Sequence, residues 1–265
     1  MMNKILKYDL KAMYKILIPD YVVIILLAVL TRIFCAIKDA TNIFSIPYSM
    51  ILVLFIISLI VVFFHTFFLS IIVFYKNMLG DESYLTHTLP VEKRSLVFSK
   101  LISSFITMIS SIIALIISVL IAFYTKGMIE NITTTLNDIA TSSGVDNIGI
   151  FYLYLSLALI VGYITYITLF YLSLTIGHTK NVNKIKNSFI AGIIIYIITQ
   201  IIASIFIFIT YLLSSEFRNV FTGNAETAFS AIIPFLFSYM IVQITLIIIG
   251  NYITINKLNT NLNIE

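Results

Sequence analysis

Charge is what this chain has least of. Only 11% of its 265 residues are Asp, Glu, Lys or Arg, against about a quarter in an ordinary soluble domain. Tryptophan is absent, proline occurs four times and cysteine once, at Cys35. A single cysteine excludes an intramolecular disulfide and a multi-cysteine metal site. The three histidines, His65, His87 and His178, form no HExxH pattern, and Asp81-Glu82 near His87 resembles a metal cluster only superficially. No GxxxxGK[ST] run is present to cradle a nucleotide. The expectation is a chain with no catalytic residues, no metal and no cofactor of its own.

What fills the chain instead is apolar. Hydrophobic residues make up 60% of it, and its mean hydropathy is +1.06. An aqueous fold cannot hide that much Ile, Leu, Val and Phe, so the solvent is lipid. Only helices and closed barrels satisfy the backbone in hydrocarbon, and barrel strands would read as short alternating segments. Here residues 40–75, 101–125, 147–179, 187–215 and 227–256 contain no Asp, Glu, Lys or Arg. Each exceeds the roughly 20 residues that cross a bilayer core. A sixth candidate, Ile16 to Ala36, carries Asp20 and Arg32 toward its ends. The fold expected is all-α and polytopic, one transmembrane domain over 1–265. Its spans fall near 17–36, 48–75, 100–124, 150–176, 188–213 and 230–255.

Lys and Arg give the orientation. With six spans both termini share a side, and that side holds Lys4, Lys7, Lys11, Lys15, Lys76, Lys93, Arg94, Lys100, Lys180, Lys184, Lys186 and Lys257. The other side has Arg32, Lys38, Lys126 and Arg218. Twelve against four puts the termini in the cytoplasm and accounts for the net charge of +4 without nucleic acid. Lys4, Lys7, Lys11 and Lys15 recur every three or four residues. They predict an interfacial helix over 3–15 lying on anionic lipid, with Lys93 and Arg94 at headgroup level in a later loop. Two outer segments, 126–149 and 214–229, are long enough to fold as short helices.

Small and polar residues recur at helical spacing in two spans. Ser103, Thr107, Ser111, Ala114, Ser118 and Ala122 mark the third; Ser188, Gly192, Tyr196, Thr199 and Ala203 mark the fifth. Such stripes suit close helix packing, or else a conduit. His65, Gln200 and Gln243 are polar side chains inside apolar spans, and with Gly192 and Ser111 they are the candidates for a pathway or for packing.

The stretch GDESYLTHTLPVEKRSLVFSK, Gly80 to Lys100, interrupts the apolar pattern between the second and third spans. Gly80 can end a helix in a left-handed cap. Asp81 or Ser83 can cap a new one, and Pro90 stops it. Tyr84, Leu85 and Leu89 are its apolar anchors. A short surface helix presenting acidic and aromatic groups suits docking to a soluble protein.

This run resembles the loop between the second and third spans of ABC-2 type transporter permeases. The resemblance is carried by Gly80, Asp81, Glu82, Tyr84, Leu85, Thr86, Thr88, Leu89, Pro90, Val91, Ser99 and Lys100. It implies a coupling helix seated in a separate ATP-binding cassette ATPase, with Glu82 and Tyr84 facing that partner. ATP and Mg would be bound there, and a second permease chain would complete a homodimer or heterodimer in a bacterial cytoplasmic membrane. The implied function is ATP-driven export of a peptide, an antimicrobial or a lipid-like substrate. The alternatives are a non-transporting anchor or scaffold of a sensor complex, and an intramembrane enzyme.

The topology is checked with single cysteines at Thr135 and Ser95 in a Cys35→Ser background. A membrane-impermeant thiol reagent on intact cells should label Thr135→Cys and spare Ser95→Cys; the reverse pattern would invert the orientation.

Overall fold

The computed structural model describes residues 2–41, 45–88, 90–125, 127–142, 148–180, 182–215, 217–218 and 225–260. Among them every regular element is a helix: α1 (Met2–Thr41), α2 (Ser45–Met78), α3 (Ser83–Thr88), α4 (Lys93–Phe123), α5 (Met128–Ser142), α6 (Ile148–His178), α7 (Lys184–Leu213) and α8 (Ala225–Thr260). Six of these, all but α3 and α5, are long and apolar enough to cross a membrane. The chain is an all-helical, multi-pass membrane protein. It divides into two compact units, Met1–Lys126 and Gly127–Glu265.

In the first unit α1 and α4 run parallel, with α2 antiparallel to both. The contacts fix this directly: Asp9 meets Lys100 and Tyr21 meets Ser111, so α1 and α4 advance together. Asp20 meets His65, and Ala28 packs with Phe55 and Ala122. The buried face of α1 is Asp9, Met13, Leu17, Ile24, Ala28 and Thr31, spaced as one side of a helix. The chain does not break between residues 15 and 17. The 40 residues of α1 form one helix through Pro19, roughly 60 Å long at about 1.5 Å per residue. Lys4, Lys7, Lys11 and Lys15 are exposed on the side away from the buried stripe.

The α4 stripe is a packing face. Ser103, Thr107, Ser111, Ser118 and Ala122 are all buried, and their small side chains let α1 and α2 come close. Hydroxyl groups bond back to the helix, as Thr107 Oγ1 does to the Ser103 carbonyl at 3.0 Å, so burying them costs little.

In the second unit α6 packs against both α7 and α8. The segment 126–149, expected outside, does fold as a helix in part, as α5. The turn from α6 to α7 is the tightest place in the unit. Asn183, just before α7, adopts the left-handed region with φ 53°. Ser188 Oγ reaches the Lys184 carbonyl at 3.0 Å and His178 Nδ1 at 3.2 Å. A Cβ on Gly177 would fall onto the Ser188 hydroxyl and backbone nitrogen. The fifth-span stripe is partly a packing face: Ser188 is buried and Gly192 faces Ser173, whereas Tyr196 is exposed.

These two glycines should differ. Gly177→Ala pushes backbone against backbone and should sharply reduce folded yield in detergent. Gly192→Ala places its methyl about as far as ordinary contact allows, with Ser173 Cβ at 3.7 Å, and should be tolerated. Equal yields by size-exclusion chromatography would refute the close turn.

Candidate functional site

The polar stretch folds into a braced element. α2 ends with Leu79 N and Gly80 N both donating to the Tyr75 carbonyl, at 2.9 and 2.8 Å. Gly80 does not take the left-handed cap expected of it; among the described glycines only Gly127 has positive φ. Its role is room instead, since a Cβ would stand 3.3 Å from Lys76 Cα. Asp81 and Glu82 form the turn, and Ser83 N donates to the Gly80 carbonyl at 2.9 Å. Thr86 donates through both its backbone N and its Oγ1 to the Glu82 carbonyl, each at 3.1 Å. Leu89, expected as a third anchor, lies outside the described residues; Pro90 is exposed beyond the helix.

Two clasps hold α3 in place. His87 bridges the helix ends: its Nε2 donates to the Met78 carbonyl at 3.0 Å, and its Nδ1 accepts from Lys93 Nζ. That arrangement requires a neutral ring. Burial holds the His87 pKa below its ordinary value, opposed by the Met78 carbonyl and helped by the Lys93 charge. Lys93 is thus tied to α3 rather than free at the surface. Arg94 is exposed, its guanidinium 5.6 Å from the Phe98 ring centre.

The second clasp is ionic. Lys100 Nζ donates to Asp9 Oδ1, with side chains only 2% and 5% exposed. Ser99 Oγ donates to Asp9 Oδ2 at 3.1 Å. With the Asn77 amide oriented by its partners, its oxygen accepts from Lys100 Nζ at 2.6 Å and its nitrogen donates to Glu82 Oε2 at 2.8 Å. Glu82, expected to face a partner, is exposed and is held by this bond to the end of α2. Asp9, Asn77 and Lys100 join α1, α2 and α4, and Glu82 connects that junction to the turn before α3. Tyr84 and Leu85 remain outward, 68% and 69% exposed.

Further along the same bundle lies a second polar layer, about 16 Å from Lys100 along α4. His65 Nδ1 sits 2.6 Å from Asp20 Oδ2. Beside it Tyr21 OH bonds Ser111 Oγ at 2.6 Å, and Ser111 bonds Thr66 Oγ1 at 2.7 Å. Asp20, expected at the flank of the first span, lies midway along α1 and faces a histidine. His65 and Ser111 are both bound in interhelical packing. The sequence signal for Asp9 was legible in hindsight: an acid at four-residue spacing with Met13 and Leu17, on the face opposite the lysines.

Gln200 and Gln243 come together in the second unit. They line a shallow, open cleft among α6, α7 and α8 with Thr165, Tyr166, Thr199 and Tyr239, whose free space of about 30 Å³ has room for a water or two. Tyr239 and Gln243 lie one turn apart on α8. Gln200 makes no hydrogen bond among the described residues. Likewise, among the described residues no three His, Cys, Asp or Glu side chains gather as a metal site.

Comparison with protein-family models, with curated proteins and with solved structures returns no match. The class defined by the fold is therefore as far as identity goes: a helical protein with six candidate membrane spans.

Removing one member of the buried ion pair should be costly. Lys100→Met strands the Asp9 carboxylate and should lower stability by about 3–5 kcal/mol, whereas Asp9→Leu with Lys100→Met should recover most of the loss. Unfolding midpoints in mixed micelles measure this. A harmless Lys100→Met would show the pair does not hold the bundle.

Proposed function

We propose that this chain is the membrane-spanning subunit of an ATP-binding cassette transporter, and that α3 is its contact with a separate ATPase. The observation that carries the reading is the way α3 is built. A six-residue helix between two membrane spans is braced by Lys93–His87–Met78 on one side and, through Glu82, by Asn77 and Lys100 on the other. It turns Tyr84 and Leu85 outward.

Bracing of this kind has a mechanical consequence. A helix held only by loop backbone would absorb a push from a partner; one tied into the polar junction of three spans passes displacement to α1, α2 and α4. A large aromatic and a leucine exposed side by side supply the anchor such a contact needs, since aromatic anchors dominate interface energies. On this reading ATP and Mg belong to the partner chain. The termini and α3 face the cytoplasm of a bacterial cell, a second permease chain completes the pathway, and the cargo is a peptide, antimicrobial or lipid-like molecule.

The test uses Tyr84→Ala with Leu85→Ala, leaving the bracing residues intact. Each anchor contributes about 1–3 kcal/mol, so the pair should weaken ATPase association by one to several decades at roughly 1.4 kcal/mol per decade. Membrane insertion should be unchanged. The readout is ATPase copurified with the tagged chain and ATP hydrolysis in reconstituted vesicles. Full association and hydrolysis in the double variant would remove α3 as the docking element, and a partner that binds without hydrolysing ATP would make the chain a scaffold.

A further inference from the structure

We infer that α5 is an amphipathic anchor whose apolar face lies in the surface of a zwitterionic lipid bilayer, on the side where α4 ends. The inference goes beyond the docking role of α3 and does not depend on it, since α5 belongs to the second unit.

The argument starts from the segment MIENITTTLNDIATS, Met128 to Ser142. At 3.6 residues per turn, Met128, Ile129, Ile132 and Leu136 share an arc of about 100°. Glu130, Asn131, Thr134, Thr135, Asn137 and Asp138 occupy the rest of the circumference. Such a helix does not hold itself together in water. Threonine and asparagine are weak helix formers, and a free helix of about 15 residues is marginal even with strong ones. Two of the threonine hydroxyls are spent on the helix itself: Thr133 Oγ1 donates to the Glu130 carbonyl at 2.8 Å and Thr134 Oγ1 to the Asn131 carbonyl at 2.9 Å, which adds little. The helix needs a surface against its apolar arc.

The protein does not supply that surface in full. α5 touches α6 and α8, yet Ile129 and Ile132 stay 58% and 41% exposed. Lipid is the surface within reach. Four residues separate Phe123 at the end of α4 from Met128, and five separate Ser142 from Ile148 at the start of α6. Each tether spans at most roughly 20 Å, so both ends of α5 are held near the ends of apolar helices of membrane-crossing length. The exposed aliphatic side chains of α4, Ile113, Ile116 and Leu120, run up to Tyr124, which closes that helix and is half exposed. Tyrosine is a residue that settles at the boundary between lipid and water.

Charge selects the kind of lipid. Surface helices that bind anionic membranes carry Lys or Arg on the polar face. α5 has neither; its polar arc holds Glu130 and Asp138, and the nearest base in the sequence, Lys126, comes before the helix. An anionic surface would repel the two carboxylates. Insertion then rests on the aliphatic arc alone. The chain passes from its first unit to its second between Lys126 and Gly127, so α5 ties the start of the second unit to the bilayer surface.

The absence of tryptophan makes a direct test available. Ile132→Trp places a sole fluorophore on the apolar arc, and Thr134→Trp places one on the polar arc. The full chain is held in phosphatidylcholine nanodiscs whose acyl chains carry bromine near the headgroup end or near the methyl end. Headgroup-end bromine should quench Ile132→Trp at least about twofold more than methyl-end bromine, as a helix at the acyl boundary requires. It should quench Thr134→Trp little, and aqueous iodide should show the opposite preference between the two positions. Adding phosphatidylglycerol should not deepen the quenching. Hydrogen exchange then compares the unsubstituted chain with an Ile129→Asn, Ile132→Asn double variant. The α5 amides should exchange at least about tenfold faster in the double variant while those of α6 keep their protection. Iodide quenching that is alike at both positions would put α5 in water and overturn the inference. A shielded Ile132→Trp that brominated lipid does not reach would give the face to a second copy or a soluble partner and overturn it too. So would unchanged exchange in the double variant, or quenching that requires phosphatidylglycerol.

Discussion

A lysine ammonium buried among three helices dictates how the first half of this protein assembles. Lys100 is almost fully enclosed, and a charge in that position is tolerable only if it is paired and hydrogen-bonded. Asp9 takes one and Asn77 another, each from a different helix. The requirement ties α1, α2 and α4 together at a single level, and Glu82 extends the tie to the turn before α3. The register of the three helices follows from that level: Tyr21 then meets Ser111, and Ala28 meets Phe55 and Ala122.

In lipid this kind of constraint does work that the hydrophobic effect cannot. Leu and Ile gain nothing by leaving acyl chains for a protein interior, so specificity rests on close packing and on satisfied polar groups. Most large aliphatic side chains of α2 and α7 are exposed accordingly, and the buried positions are disproportionately serine, threonine and small residues. The first unit consumes its polar groups internally, in the junction at Lys100 and in the layer at Asp20, His65, Tyr21, Thr66 and Ser111. In the second unit Gln200 is exposed on α7.

Much of this was legible along the chain. Charge-free windows longer than a bilayer is thick mark five of the six long helices because no other backbone geometry survives there. The α4 stripe predicted a packing face because small residues at helical spacing have few other uses. What failed were readings that treated a local pattern as sufficient. Gly80 looked like a left-handed cap, yet it is selected by the nearness of the Lys76 and Tyr75 backbone. The contact between Glu82 and Asn77, five residues earlier, was not foreseen either.

The sequence by itself determined the solvent, the secondary structure and the approximate span boundaries, because these depend on composition and on periodicities within one helix. Tertiary structure alone decided which polar residues are partners. Asp9 and Lys100 stand 91 residues apart, Asp20 and His65 45 apart, and nothing local couples either pair. Whether a glutamine in a membrane helix is packing or an open hydrogen-bonding surface depends on what its neighbours bring to the same depth. Gln200 stays exposed on α7 whereas Ser111 is bound between α1 and α2, a difference that belongs to the assembled bundle and to no segment of the chain.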